Sequence, residues 1–158
     1  MKLNIKILSG ISGSGKSTFS KNFVLEYSNY KRINRDELRE MFDSYKLTDG
    51  NENFARIARN KMIELCFSLG RNIIIDDTNC IEEKLIELIQ SIRYIASNYM
   101  VDVDIEVIDF DTDFEVCLER NKNRERVVEE KFLYYMKKNK DLINFESLPI
   151  DRCTKIKE

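Results

Sequence analysis

Eight residues near the N-terminus, Gly10-Ile-Ser-Gly-Ser-Gly-Lys-Ser17, hold three of the chain's five glycines and end in a lysine and a hydroxyl. Gly10, Gly15, Lys16 and Ser17 fit the spacing G-x-x-x-x-G-K-[ST]. Glycine loses more backbone freedom on folding than any other residue, so such clustering needs a cause. An anion supplies one. Gly10, Gly13 and Gly15, with Ser12 and Ser14 between them, let the backbone wrap close to a phosphate and turn successive N–H groups inward. A helix starting at this point adds the positive end of its dipole. Lys16 brings a mobile point charge to the β- and γ-phosphates, and Ser17 offers a hydroxyl to Mg²⁺. Thr18 either reaches the α-phosphate or simply occupies the first helical turn. The pattern predicts a cradle for a nucleoside triphosphate.

Three further stretches could complete a chemistry. "IIIDDTN" is an apolar run ending in Asp76 and Asp77, followed by Thr78 and Asn79. A carboxylate there can hold the Ser17 hydroxyl or a magnesium-bound water. Consecutive strand residues face opposite ways, so only one of the two acids is expected to serve. "INRDELR" places Asp36 at a helix start, where a carboxylate could take a proton from an acceptor hydroxyl. Arg39, three residues on, shares that helix face, and Arg35 lies beside it. A guanidinium next to a base is suited to gripping a substrate phosphate through two parallel hydrogen bonds. "CLERNKNRER" carries Arg120 and Arg124 four apart, expected as a lid over the phosphates at about residues 118–128. Arginines there can neutralise charge on the transferring group and on the leaving diphosphate.

Composition narrows the chemistry. The chain has 158 residues, 42% apolar and 34% charged, a soluble globular balance fitting one domain over 1–158. Histidine is absent, which removes Ser-His-Asp and Cys-His catalysis and mixed Cys/His zinc sites. With a net charge of −2, any polyanion site must be a local basic patch. The guanine signature N-K-x-D is missing from all three Asn-Lys pairs. "DFDTD" (109–113) resembles the D-x-D-x-T of aspartate-nucleophile phosphatases, but residue 113 is Asp where that motif has Thr. No leader and no membrane span are visible, and the four separated cysteines read as reduced thiols; a cytoplasmic protein is expected.

The elements that must position these residues follow from periodicity. "LNIKIL" reads as a strand over 3–8, followed by a helix, a short strand "KRIN" and a helix capped by Asn34 with Glu37 three residues later. "LTDGN" reads as a turn. Phe54, Ala58, Met62, Leu65 and Leu69 mark the next helix, closed by Gly70. "RNIIID" is a strand buried on both faces. Ile81 to Tyr99 is an amphipathic helix and "VDVDIEVIDF" a strand. Helices follow at about 113–121 and 128–145, and the polar tail 149–158 is expected to be loosely held. Alternating strands and helices predict an α/β fold with a mainly parallel sheet.

Together, "GISGSGKST", "INRDELR", "IIIDDTN" and "VIDF" followed by "LERNKNR" resemble the kinase domain of bacteriophage-type polynucleotide 5′-hydroxyl kinases over residues 1 to about 140. The resemblance implies a P-loop three-layer α/β/α domain with four to five strands in the order 2-3-1-4. It implies ATP as donor with Mg²⁺, bound by Lys16, Ser17 and Thr18. Asp36 would be the general base and Arg39 the clamp on the acceptor's 3′-phosphate. Asp77 would be the acid facing magnesium, with Thr78 and Asn79 beside the substrate, and Arg120 and Arg124 the lid arginines. The acceptors would be 5′-hydroxyl ends of DNA or RNA, short single strands included, with a role in nucleic acid repair and no 3′-end trimming. The sequence departs from the pattern at Ser12, where the family commonly has proline, and in the lid, where no proline or glycine follows Glu125-Arg126. Two other readings stand beside this one: a kinase for a nucleoside, nucleotide or sugar, and a nucleotide-binding regulatory module without an acceptor.

Overall fold

A computed structural model describes residues 1–158. Five strands form one all-parallel sheet: β1 (Lys2–Ser9), β2 (Tyr30–Ile33), β3 (Asn72–Ile75), β4 (Asp102–Asp111) and β5 (Arg152–Lys157). Their order is β2-β3-β1-β4-β5. The order 2-3-1-4 is as the resemblance implies, extended by one strand at the β4 edge. The helices are α1 (Lys16–Glu26), α2 (Arg35–Asp43), α3 (Asp49–Ser68), α4 (Glu82–Asn98), α5 (Phe114–Lys122) and α6 (Glu130–Lys140).

Of the three central strands, β3 (NIII) is buried at every position, while β1 and β4 keep one apolar face and carry Lys6 and Glu106, ion-paired with each other, on the other. Side chains alternate across the sheet. Ile5, Ile7, Ile73, Ile75, Ile105 and Val107 point to the side of α3 and α4, where they meet Ile63, Phe67, Leu85 and Ile89 in the main core. Leu8, Ile74, Ile108 and Phe110 point the other way and pack under Phe19, Phe23 and Val24 of α1. Three layers result. No helix is long and apolar enough to cross a membrane.

Several local signals act as their chemistry predicts. The Asn34 side chain caps α2, accepting from the Glu37 backbone N–H at 2.8 Å. The reciprocal half of a capping box is absent, since the Glu37 carboxylate is drawn to Arg32 at 2.7 Å. Gly70 ends α3 at φ +63°, where a side chain would be strained.

Three expectations are corrected. The tail is not loosely held. Residues 152–157 add β5 to the sheet, anchored by the Asp151 carboxylate accepting from the Ile105 N–H at 2.8 Å. As an edge strand it needs an apolar residue only where it meets the core, and Ile156 supplies it. The exposed remainder is polar and includes Arg152, Lys155 and Lys157, while the opposite edge, β2, carries Lys31 and Arg32. Next, "LTDGN" is largely helix: Thr48 accepts from the Asn51 N–H at 3.1 Å and starts α3 at Asp49. Last, the buried stripe of α3 is Ala55, Arg59, Ile63, Cys66 and Phe67, one position away from the expected one. Phe54, Met62, Leu65 and Leu69 lie in solvent-exposed positions.

"DFDTD" is a buttress. Asp109 is buried in an ion pair with Lys140 of α6 at 2.5 Å, and Asp113 caps α5 by accepting from the Glu115 N–H at 2.9 Å. Thr112 donates to the Ser14 carbonyl at 2.9 Å and so supports the glycine loop from behind.

All four thiols are free; Cys66, Cys80 and Cys117 are buried and Cys153 is exposed on β5. Burial pushes the Cys80 thiol up to about 11, against a smaller opposing pull from Lys16. Iodoacetamide at pH 8 is therefore expected to label Cys153 first, and the other three only after denaturation. Peptide mass spectrometry of the native and denatured protein checks this.

Candidate active site

The glycine loop leaves the C-terminal end of the central strand β1 and enters α1, the place where open parallel sheets bind ligands. Its start is pinned by the Gly10 N–H donating to the Thr78 carbonyl at 2.9 Å. A Cβ on Gly10 would sit 2.6 Å from Ser14 Oγ and 2.9 Å from Phe110 Cβ. Gly13 has φ +85°, and a Cβ there would come within 2.7 Å of the Cys117 carbonyl oxygen. Only glycine lets the loop lie this close to the backbone of α5.

Lys16 is buried, and its ammonium donates to the Ile11 carbonyl at 2.9 Å and to Ser14 Oγ at 3.3 Å. Burial lowers its pKa; Cys80 and Asp76 oppose this, and Arg124 reinforces it. Arg124 is thus close enough for its charge to be felt at Lys16. Thr18 is exposed in the first turn of α1.

The acid beside Ser17 is Asp76. Ser17 Oγ donates to Asp76 Oδ1 at 3.4 Å, Ser20 Oγ to Oδ2 at 2.7 Å, and Arg32 Nε to Oδ2 at 2.8 Å. The Ser17 hydroxyl thus meets Asp76, where the resemblance implies Asp77. Asp77, in the bend just past β3, points the other way. Its Oδ1 accepts from the Arg35 backbone N–H at 2.8 Å, its Oδ2 from Arg35 Nε at 3.0 Å, and Arg59 Nη1 lies 3.9 Å off. Asp77 thereby fixes the start of α2, and with it the position of Asp36. Thr78 and Asn79 close the joint. Ser9 Oγ donates to the Asn79 carbonyl at 2.9 Å, and the Asn79 amide donates to the Leu8 carbonyl at 2.7 Å.

Mg²⁺ needs hard oxygen ligands and usually takes one or two from protein, the rest from phosphates and water. The Ser17 hydroxyl beside Asp76 Oδ1 fits that demand. No cluster of three or more metal-binding side chains exists, so the protein offers no full cage.

On the acceptor side, Asp36 and Arg39 are ion-paired on one face of α2, and Arg39 Nη1 also donates to Glu52 of α3 at 3.2 Å. The Asp36 side chain is 53% exposed and that of Arg39 14%. Both line a cleft of about 1280 Å³ that also receives Ser12, Arg35, Thr78, Asn79 and Arg124. The structure brings these expected site residues together. Arg120 does not line this cleft but lies against the phosphate loop, donating to the Gly13 carbonyl at 3.3 Å and to Glu158 at 2.8 Å.

The segment expected as a lid is the end of α5 and the loop to residue 128. Asn121 closes it, donating to the Val128 carbonyl at 2.7 Å and accepting from the Val128 N–H at 3.0 Å. Arg126 lies 3.8 Å above the Tyr45 ring, joining the lid to the loop after α2. Residues that sequence reasoning missed also line the cleft: Arg56 and Arg59 of α3, Tyr94 of α4, and Phe132 and Tyr135 of α6. The signal for Arg59 was a cation within an apolar stripe, hidden because the stripe was placed one residue off.

A parallel sheet in this order, with a phosphate loop after its central strand and a carboxylate-bearing helix after the next, defines a P-loop kinase domain. The chain belongs to the AAA domain family AAA_33, whose family model matches residues 5–142. It is 32% identical over 99 residues to L-seryl-tRNA(Sec) kinase of Methanococcus maripaludis, a match covering 60% of this chain and 38% of that protein. A chain of the Pnkp1/Rnl/Hen1 RNA repair complex superposes with TM-score 0.68 at 25% identity, over 90% of this chain and 47% of that one. A fungal RNA kinase shares the fold with TM-score 0.71 at 13% identity, over 99% of this chain and 74% of that one. The chain thus spans less than half the length of the first two relatives.

Arg32 is the only cation bonded to the buried Asp76. Arg32→Ala is expected to leave that carboxylate uncompensated and cost about 3–5 kcal/mol of stability, read as a lower urea midpoint. An unchanged midpoint would mean that Asp76 does not depend on this pair.

Proposed function

We propose that this chain transfers the γ-phosphate of ATP to the 5′-hydroxyl end of a nucleic acid, short single strands being the acceptors it fits. One observation carries this reading. Asp36 and Arg39 share the mouth of a cleft that reaches Ser12 and Arg124 on the donor side. On the acceptor side the same cleft runs on past cations and aromatic rings, far beyond the room one sugar needs. The similarity to a chain of an RNA repair complex supports it, whereas the other relative is named for a seryl group carried on tRNA.

The chemistry follows from the side chains. The backbone amides of residues 10–17 and Lys16 hold the triphosphate. Bound Mg²⁺, held through Ser17 and Asp76, would draw charge from the β- and γ-oxygens. The acceptor oxygen attacks the γ-phosphorus as its proton passes to an Asp36 oxygen. The bond from phosphorus to the β-bridging oxygen breaks, and ADP leaves. Arg124 faces the charge that builds on the transferring group, in the role that lid arginines take in the family the sequence resembles.

Arg39, ion-paired with Asp36 on the same helix face, is the guanidinium placed to take a phosphate of the acceptor nucleotide beside the base.

Labelled ATP offered with 5′-hydroxyl oligonucleotides, nucleosides and sugars tests the reading. Label in oligonucleotide is expected. Label in a nucleoside or sugar alone would make this a small-molecule kinase, and ATP binding without transfer would make it a regulatory module. Asp36→Asn is expected to keep ATP affinity while turnover falls ~10²-fold or more, from loss of a general base. Lys16→Ala should instead weaken ATP binding, which calorimetry reads. Unchanged turnover in the Asp36 variant would remove its assigned role.

A further inference from the structure

Arg59 is an anomaly in the fold. It occupies the buried stripe of α3, between Ala55 and Ile63, and is only 6% exposed. A buried guanidinium needs an anion. Its sole carboxylate neighbour is Asp77, at 3.9 Å, and Asp77 already accepts twice from Arg35. Its other bonds go to one neutral oxygen, Asn60 Oδ1, from Nε at 3.3 Å and Nη2 at 3.2 Å.

The surroundings make the imbalance larger. Burial lowers the Arg59 pKa to about 10, and Arg35 and Arg56 push in the same direction, against Asp77 alone. Arg56 lies three residues before Arg59, so the two share one side of the helix. Its only side-chain bond is to Asn53 at 2.6 Å. Three guanidiniums therefore converge with Asp77 the only carboxylate bonded to any of them, the next acid, Glu52, being engaged by Arg39. The chain as a whole is net negative, so this excess is local. It opens into the acceptor cleft, one to two helical turns along α3 from Glu52, the residue that anchors Arg39.

The site lacks a second anion, and its neighbours say which kind. Tyr94 on α4 and Phe132 and Tyr135 on α6 line the same cleft, each with about half or more of its surface exposed. Exposed rings beside a basic track are the recurring platform for unpaired bases.

We propose that Arg56 and Arg59 form a second phosphate subsite, which takes the phosphodiester beyond the one held at Arg39 in a single-stranded acceptor. This rests on the reading of the cleft given above. The substrate class becomes narrower: the acceptor is at least a dinucleotide, with its bases against the aromatic wall. Its backbone, not its sequence, is what the subsite reads.

The test is binding, without catalysis. A 3′-fluorescein-labelled 5′-hydroxyl hexanucleotide is titrated with the wild-type chain, Arg56→Gln and Arg59→Gln by anisotropy at several salt concentrations. A nucleoside 3′-monophosphate serves as competitor. The ratio of hexanucleotide to mononucleotide affinity is expected to fall about tenfold in each variant, as for loss of one charge-assisted contact. The salt slope of hexanucleotide binding is expected to drop by about 0.7. An unchanged ratio and slope in Arg56→Gln overturns the inference, as does failure of the wild type to bind the hexanucleotide. Arg56 is exposed, so that variant decides the matter even if Arg59→Gln unfolds. Arg56-dependent binding without phosphate transfer would sink the proposed kinase function and leave the subsite standing. Transfer to oligonucleotide with an Arg56-independent ratio would do the reverse.

Discussion

Two adjacent carboxylates at the end of β3 hold the two halves of this domain in register. Just past Ile75, the last residue of that strand, Asp76 and Asp77 diverge. Asp76 turns to the donor half, where Ser17, Ser20 and Arg32 converge on it. Asp77 turns to the acceptor half and seizes both the backbone and the side chain of Arg35. The phosphate loop and the helix bearing Asp36 are thus set relative to each other by one peptide unit. A displacement of β3 would shift both together and preserve their spacing. That suits a transfer reaction, in which the distance between donor and acceptor matters more than the position of either.

The loop and lid are joined with similar economy. Gly13 lies against the backbone of Cys117 on α5, so the helix that ends in the lid packs directly on the loop that binds phosphate. Arg120, which the resemblance implies as a lid arginine, contacts the loop's carbonyl at Gly13. Arg124 is the lid cation whose charge reaches Lys16. The far end of the lid touches the acceptor half through Arg126 and Tyr45. Tyr45 sits at φ +64°, a conformation that a bulky residue adopts at a cost. The phosphate loop thus packs on α5, and the segment that α5 runs into reaches the loop after α2.

Much of this was legible in the sequence where one physical requirement dominates. Strand β3 is buried on both faces and reads as an apolar run, and β1 and β4 alternate around one apolar face. The glycine loop has a spacing that few other structures need. Asn34 carries its capping role in its residue type. Legibility failed where two requirements overlap. Strand β5 is an edge and can be polar, so its sequence resembles a tail. The α3 stripe contains an arginine, so an apolar pattern one residue away looked more regular than the real one. Asp76 and Asp77 are identical in type, and only the path of the chain past β3 separates their roles. The cleft residues Arg56, Tyr94, Phe132 and Tyr135 come from three helices and have no shared spacing; only the fold collects them.

The sheet's two outer strands also bear on how these molecules treat one another. A bare strand edge offers unpaired N–H and C=O groups to any strand that drifts by. Here one border carries Lys31 and Arg32, and the other Arg152, Lys155 and Lys157. A second strand docking there would have to strip water from Lys31 or Lys157, and at the β5 border also disturb the pairs that Arg152 and Lys155 make with Asp104 and Asp111, before a single ladder bond formed. Charged side chains along both borders thereby guard the sheet against edge-to-edge pairing.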